Sequence, residues 1–179
     1  MLIQENTGLI LIDVQGKLAR IVNESEKLIS NLEKIIRGGQ ILELPIIWIE
    51  QNPQGLGATV PELAGMLKNQ QPFEKYSFNA MENESFRKAV IDSDRKQWLV
   101  CGIEAHICVY QTVLGLLSHN FEVEIVADCV SSRAKENKDL ALKKLQQKGA
   151  DVTTVEMCLY ELVKSSKSEV FKGILNLIK

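Results

Sequence analysis

Four short, predominantly apolar runs constrain the fold of this chain more than any other feature of its sequence. They cover residues 8–14, 45–50, 97–102 and 122–128. Apolar runs of this length, bounded by turn residues, are typical of strands that are buried on both faces of a sheet. Three of the four carry an acidic residue at or next to their carboxyl end.

Helical patterns separate these runs along the chain. The clearest of them cover residues 25–42, 83–91, 106–118 and 135–148. An extended, aromatic-rich segment at 73–78 and a strand near 152–155 bring the number of candidate strands to six. Regular alternation of strand and helix indicates parallel strands joined by right-handed crossovers. We therefore predict an α/β fold, a three-layer α/β/α sandwich around a mainly parallel, doubly wound six-stranded sheet.

Composition and length limit the classes of protein to consider. The chain has 179 residues, 45% of them hydrophobic and 25% charged, which predicts one globular domain over residues 1–179. The net charge of −2, without a basic face, argues against binding to nucleic acid or to an anionic membrane. The N-terminus lacks the pattern of a signal peptide, and no apolar run approaches the ~18 residues of a membrane span. We expect a soluble, cytoplasmic protein.

The four cysteines differ in their expected roles. They form no CxxC pair, which argues against a zinc site or a disulfide scaffold. Cys101 lies inside a predicted strand, Cys129 follows Asp128 at a strand end, and Cys158 lies in an apolar helix. All three are interpreted as buried packing residues. Cys108 falls in the first turn of a helix that follows a strand, where free N–H groups and the helix dipole favour a thiolate.

A thiolate nucleophile needs a proton acceptor nearby. His106 is only two residues from Cys108 on a helix, and it therefore faces another direction. Carboxylates at the carboxyl ends of parallel strands are better placed, because ligand sites of such sheets lie at that edge. Asp13, Glu50 and Asp128 are the candidates, and their spacing along the chain does not separate them.

Lys75 stands among aromatic residues, with Phe73, Tyr76 and Phe78 close to it in sequence. Most lysines are solvated surface charges. These neighbours make partial burial plausible, and a buried lysine usually has an anionic partner.

Three motifs in this order resemble those of the isochorismatase-like cysteine hydrolases. They are Asp-Val-Gln at 13–15, the lysine of Lys-Tyr-Ser-Phe at 75–78, and the cysteine that opens a helix after Gly-Ile at 102–103. The resemblance extends over essentially the whole chain. Residues 50–57, 102–108 and 128–133 are most similar to the branch of isochorismatase domain-containing proteins. The resemblance implies the isochorismatase-like hydrolase fold.

It also implies a catalytic triad. In the family the cysteine, here Cys108, is the nucleophile, the aspartate, here Asp13, takes its proton, and the lysine, here Lys75, stabilises the charged pair. The peptide bond between Ile103 and Glu104 corresponds to a cis bond of the family. The backbone N–H groups of Glu104 and Cys108 would then form the oxyanion hole.

The same resemblance bears on the substrate site. Gln15, Gln51, Tyr76 and Phe78 are expected to line the pocket. Nicotinamidases of this superfamily bind a metal through an aspartate and histidines after the second strand, but residues 51–59 contain neither type. We therefore expect no metal and no other cofactor. Isochorismatases cleave a vinyl ether without a cysteine, so Cys108 favours carbonyl chemistry.

The resulting prediction is a metal-independent cysteine hydrolase that cleaves an amide-like C–N bond of a small molecule. The family commonly forms oligomers, and we expect a homo-oligomer here. The alternative is a catalytically silent member of the same fold that acts as a binding or scaffold protein. A flavin or dinucleotide binder is rejected, because no G-x-G-x-x-G follows the first strand.

Overall fold

The computed structural model describes residues 1–179 and contains one sheet of six strands, all of them parallel. The strands are β1 (Thr7–Ile12), β2 (Ile46–Gln51), β3 (Phe73–Lys75), β4 (Gln97–Ile103), β5 (Glu122–Ser131) and β6 (Asp151–Thr153). Their order across the sheet is β3-β2-β1-β4-β5-β6. The predicted six-stranded, doubly wound α/β fold is confirmed, and the sheet is entirely rather than mainly parallel.

Helices cover both faces of the sheet. They are α1 (Leu18–Ile21), α2 (Ser25–Ile41), α3 (Pro53–Leu56), α4 (Pro61–Ala64), α5 (Glu84–Asp92), α6 (Tyr110–Ser118), α7 (Lys135–Gln147), α8 (Val155–Val163) and α9 (Phe171–Ile178). The core on one face includes residues of α1, α2, α4, α8 and α9, and the core on the other face includes residues of α5, α6 and α7. No helix combines the length and the apolar character that a membrane span requires.

The apolar runs fill both cores at once. In β1, Leu9 and Leu11 belong to the core under α2, whereas Ile10 and Ile12 belong to the core under α6. Successive side chains of a strand point to opposite faces, so a strand covered on both sides must be apolar at every position. Full burial of one such side chain stabilises the fold by about 1.5–3 kcal/mol.

The helices begin and end where local chemistry allows. α2 buries a stripe with the spacing of an amphipathic helix, which includes Leu28, Leu32 and Ile36. Asn83 caps α5, because its side-chain oxygen accepts a hydrogen bond from the backbone N–H of Phe86 at 2.9 Å.

The connection between β3 and β4 crosses from one side of β1 to the other, so the strand order reverses between β1 and β4. Ligands bind at this switch point in open α/β sheets, beyond the carboxyl ends of the strands. Ile12 and Gly102 are register partners at the end of these two strands. A Cβ on Gly102 would lie 2.0 Å from the carbonyl oxygen of Ile12, and its φ of +120° also requires glycine. Gly102 therefore permits the close approach of β4 to β1.

β5 is longer and less regular than predicted. Ile125 lies opposite Val100 and Val130 lies opposite Gly102, so residues 126–129 bulge out of the ladder. The expectation that this strand ends at Asp128 is wrong, because the strand resumes after the bulge and continues to Ser131.

Glu124 of β5 is expected to make folding stability depend on pH. Burial, together with the charges of Glu161 and Asp151, raises its pKa to about 7, with a further contribution from Glu122 and an opposing one from the N-terminal amino group. The folded state thus binds this proton more tightly than the unfolded state does. The stabilisation is complete below about pH 4.5, the ordinary pKa of the group, and is lost as the pH rises through 7.

Glu124→Gln should remove the loss of folding stability that occurs as the pH rises through 7. After discounting for solvent screening of a half-exposed group, we expect the variant to gain about 1–2 kcal/mol at pH 8 relative to the parent protein. That gain corresponds to a Tm increase of about 3–6 °C, with no difference at pH 4. Thermal unfolding at both pH values is the measurement, with the exposed Glu156→Gln as control. Equal Tm differences at pH 4 and pH 8 would contradict the assignment.

Candidate active site

Asp13 immediately follows β1 at the switch point, in a left-handed backbone conformation with φ of +52°. Few residues other than glycine adopt this conformation, and aspartate is among those that do. The turn is held by its own N–H, which donates to Ile49 O at 3.1 Å, and by its carbonyl, which accepts from Gln15 N–H at 2.8 Å. Its carboxylate is thereby directed inward and is almost completely buried.

Lys75 is the last residue of β3, and its side chain is fully buried. Its Nζ donates to Asp13 Oδ2 at 2.7 Å and to Gln51 Oε1 at 2.6 Å. A buried ammonium group requires such partners, because it has lost its hydration. The predicted anionic partner of the lysine is therefore Asp13.

Cys108 follows β4 through an unusual segment. The peptide bond between Ile103 and Glu104 is cis, and residues Ala105–Val109 form a single π-helical turn that leads into α6. Cys108 lies within this turn and is 7% exposed. Its Sγ lies 4.0 Å from Gln51 Oε1. Asp13, Lys75 and Cys108, predicted from three separate motifs, thus lie around one point at the carboxyl edge of the sheet.

Burial and the neighbouring carboxylate keep the Cys108 thiol protonated at rest. Burial, followed by the neighbouring Asp13 carboxylate, raises the pKa of Cys108 to about 12, although Lys75 opposes the shift. Burial also raises the pKa of Asp13, while the charge of Lys75 and the nearby Cys108 thiol lower it. The ion pair with Lys75 favours the ionised carboxylate. Asp13 Oδ1 has no hydrogen-bond partner, so this oxygen is free to accept the thiol proton of Cys108.

Glu104 contributes different groups in two directions. Its backbone N–H has no acceptor within the protein. Its buried carboxylate turns away to Arg133, whose Nε lies 2.8 Å from Oε1 and whose backbone N–H lies 3.2 Å from the same atom. This ion pair with a largely exposed arginine was not predicted, because nothing in the sequence relates the two positions.

The other two candidate carboxylates have structural partners. Glu50 Oε1 accepts from both the N–H and the hydroxyl of Thr59, at 2.6 and 2.7 Å, and so closes the loop after β2. Asp128 lies in the bulge of β5, where Oδ1 accepts from the N–H of Val155 at the start of α8. Of the three candidates, Asp13 is the carboxylate that pairs with the buried lysine.

The four predicted pocket residues occupy different environments. Gln15 is fully buried, and its amide makes three hydrogen bonds with the main chain of Gln51 and Gly57. The structure therefore gives Gln15 a role in holding the loop after β2. Gln51 is partly buried beside Lys75. Tyr76 and Phe78 are 66% and 52% exposed. Contact of these four residues with a substrate stays a prediction.

Cys101, Cys129 and Cys158 are completely buried in the core under α2. Their environment agrees with the expected packing role. Cys108 belongs to the core on the opposite face.

Known proteins of one family are similar to this chain over nearly its whole length. A family model described as the isochorismatase domain matches residues 7–157. Isochorismatase domain-containing protein 2 of Danio rerio is 37% identical over 170 residues, which cover 95% of this chain and 85% of that protein.

Solved structures show the same similarity. The Mar1 ribonuclease from Caenorhabditis elegans has a TM-score of 0.93 and 34% identity, with 99% of this chain and 91% of that chain covered. The YcaC gene product of Escherichia coli, described as an octameric hydrolase of unknown specificity, has a TM-score of 0.94 and 25% identity, with coverages of 99% and 88%.

Asp13→Asn should lower the pKa of Cys108, because the substitution removes the negative charge that disfavours a thiolate. We expect alkylation of Cys108 by iodoacetamide to begin about 1–3 pH units lower than in the parent protein. The measurement is the alkylation rate as a function of pH, followed by peptide mass spectrometry. Asp128→Asn, at the bulge of β5, is the matched control and should leave the profile unchanged. A shift of the Asp13→Asn profile to higher pH would contradict the proposed electrostatics.

Proposed function

The chain belongs to the isochorismatase family, which supports a hydrolase role, and on that premise we propose that it is a cysteine hydrolase for a small amide-like C–N bond. The observation that carries the proposal is the convergence of Asp13, Lys75 and Cys108 at the switch point of the sheet. A nucleophile, a proton acceptor and a fixed positive charge are the groups that acyl transfer through a thioester requires.

The first step is proton transfer during attack. With a pKa of about 12, the thiol of Cys108 is neutral at rest, so a preformed thiolate is not the reacting species. Asp13 accepts the thiol proton as Sγ attacks the substrate carbonyl carbon, and the carboxylate thereby becomes neutral. When Asp13 becomes neutral, the negative charge develops on the attacking sulfur and then on the substrate oxygen. The positive charge of Lys75, beside the sulfur, stabilises it.

The tetrahedral intermediate then breaks down. Its oxyanion accepts hydrogen bonds from the backbone N–H groups of Glu104 and Cys108. The C–N bond breaks, Asp13 returns its proton to the leaving amine, and the acyl group stays on Cys108 as a thioester. A water molecule loses a proton to Asp13 and attacks the thioester carbonyl. The C–S bond then breaks, Asp13 returns the proton to the sulfur of Cys108, and the carboxylic acid is released.

The metal-independent part of the proposal rests on the loop after β2. Residues 51–59 provide neither aspartate nor histidine. Metal-assisted amide hydrolysis needs at least three protein ligands of this kind around the ion. The composition of this loop supports a mechanism in which the cysteine, rather than a metal-bound hydroxide, is the nucleophile.

We also propose that the protein acts in the cytoplasm as a homo-oligomer on a small-molecule substrate. All four cysteines are free, as is usual for proteins of a reducing compartment. The octameric relative from Escherichia coli supports self-assembly.

Cys108→Ala should abolish hydrolysis, and Asp13→Asn should lower kcat by about 10²–10⁴-fold because it removes the general base and acid. A panel of small primary amides, with release of ammonia as the readout, would identify a substrate. Intact-mass spectrometry during turnover should then show one acyl group on the protein, localised to Cys108. Cys129→Ala, which changes a buried thiol away from the site, is the control and should retain activity.

Persistence of hydrolysis in Cys108→Ala would exclude the thioester mechanism. Binding of panel members without acylation or turnover would instead favour the catalytically silent alternative.

A further inference from the structure

Gln51 is held from two sides through its main chain. Its N–H donates to Gln15 Oε1 at 2.7 Å, and its carbonyl accepts from Gln15 Nε2 at 3.0 Å. Gln51 is also the register partner of Lys75, because β2 and β3 are adjacent in the sheet. The backbone at this position therefore has little freedom, and the starting point of the side chain is well defined.

The side-chain amide of Gln51 is fixed as well. Nε2 donates to the carbonyl oxygen of Tyr76 at 2.8 Å, and Oε1 accepts from Lys75 Nζ at 2.6 Å. Only one orientation of the amide satisfies both partners, because an ammonium group only donates and a carbonyl only accepts. The same Oε1 lies 4.0 Å from Cys108 Sγ.

We propose that Gln51 is a positioning residue of the site, which holds the Lys75 ammonium beside the thiol when Asp13 becomes neutral. The proposal rests on the cysteine-hydrolase function argued above. It assigns Gln51 an effect on the nucleophile itself, which differs from the substrate contact expected from the sequence.

The physical reason is the change of charge during attack. Lys75 has two hydrogen-bond acceptors, the carboxylate of Asp13 and the amide oxygen of Gln51. When Asp13 takes the thiol proton, the carboxylate loses its charge, and the fully buried Lys75 cannot replace it with water. The amide oxygen of Gln51 then remains as the acceptor that keeps the ammonium group charged and in place. The hydrogen bond from Lys75 to Gln51 therefore stabilises the ammonium group more after Asp13 has taken the thiol proton than before.

The test is the alkylation rate of Cys108 by iodoacetamide between pH 6 and pH 10 in the full chain. Gln51→Met preserves length and volume but removes the acceptor. We expect alkylation to be slower by about tenfold to a hundredfold at each pH, as expected for the loss of one charge-assisted hydrogen bond. Gln51→Glu keeps the acceptor and adds a negative charge, which should move the onset of alkylation to higher pH. Gln54→Leu, on the exposed part of the same segment, is the matched control and should behave as the parent protein.

The outcomes separate this inference from the proposed function. If Cys108 of the parent protein reacts but Gln51→Met reacts at the same rate or faster, Gln51 is not a positioning residue and the cysteine mechanism still stands. If Cys108 of the parent protein is neither alkylated by iodoacetamide nor acylated by any member of the amide panel, both proposals are overturned. A purely structural role of Gln51 would lower the Tm of both variants without slowing alkylation, and this result would also overturn the inference.

Discussion

The buried ion pair between Lys75 and Asp13 is the interaction on which the rest of the site depends. Nζ and Oδ2 are 2.7 Å apart, and the two side chains are 0% and 2% exposed. Removing both charges from water costs several kcal/mol per ion, which their attraction offsets only when geometry is good and further hydrogen bonds are present. Such a pair adds little net stability. Its physical value here is the positive charge that it keeps beside Cys108.

The order of the strands explains why these residue types are needed. Lys75 and Asp13 are 62 positions apart in sequence and stand at the ends of β3 and β1, with β2 between them. Adjacent strands lie ~4.8 Å apart, so the two ends are separated by about 10 Å. The long side chain of Lys75, on the edge strand β3, can span this distance by passing over Gln51. The left-handed turn at Asp13 brings the shorter carboxylate toward it.

Much of the architecture was predictable from the sequence, because strands buried on both faces must be apolar and helices between them must be amphipathic. The position of Cys108 after a strand followed from the same pattern. The choice among Asp13, Glu50 and Asp128 did not, because spacing along the chain does not report the direction of a side chain. The bulge that surrounds Asp128 has no periodic signal, and β3 is too short for its register with Gln51 to be inferred.

The high pKa of Cys108 has a consequence for the lifetime of the protein. Peroxides and other oxidants react with thiolates, and a neutral thiol is attacked far more slowly. At 7% exposure and with its proton retained, Cys108 is shielded from conversion to sulfenic and sulfinic acids. In the proposed mechanism Asp13 removes the proton only as a carbonyl carbon is attacked, so the sulfur stays reduced between turnovers. The same burial that delays ionisation of the thiol until attack therefore also slows its oxidation.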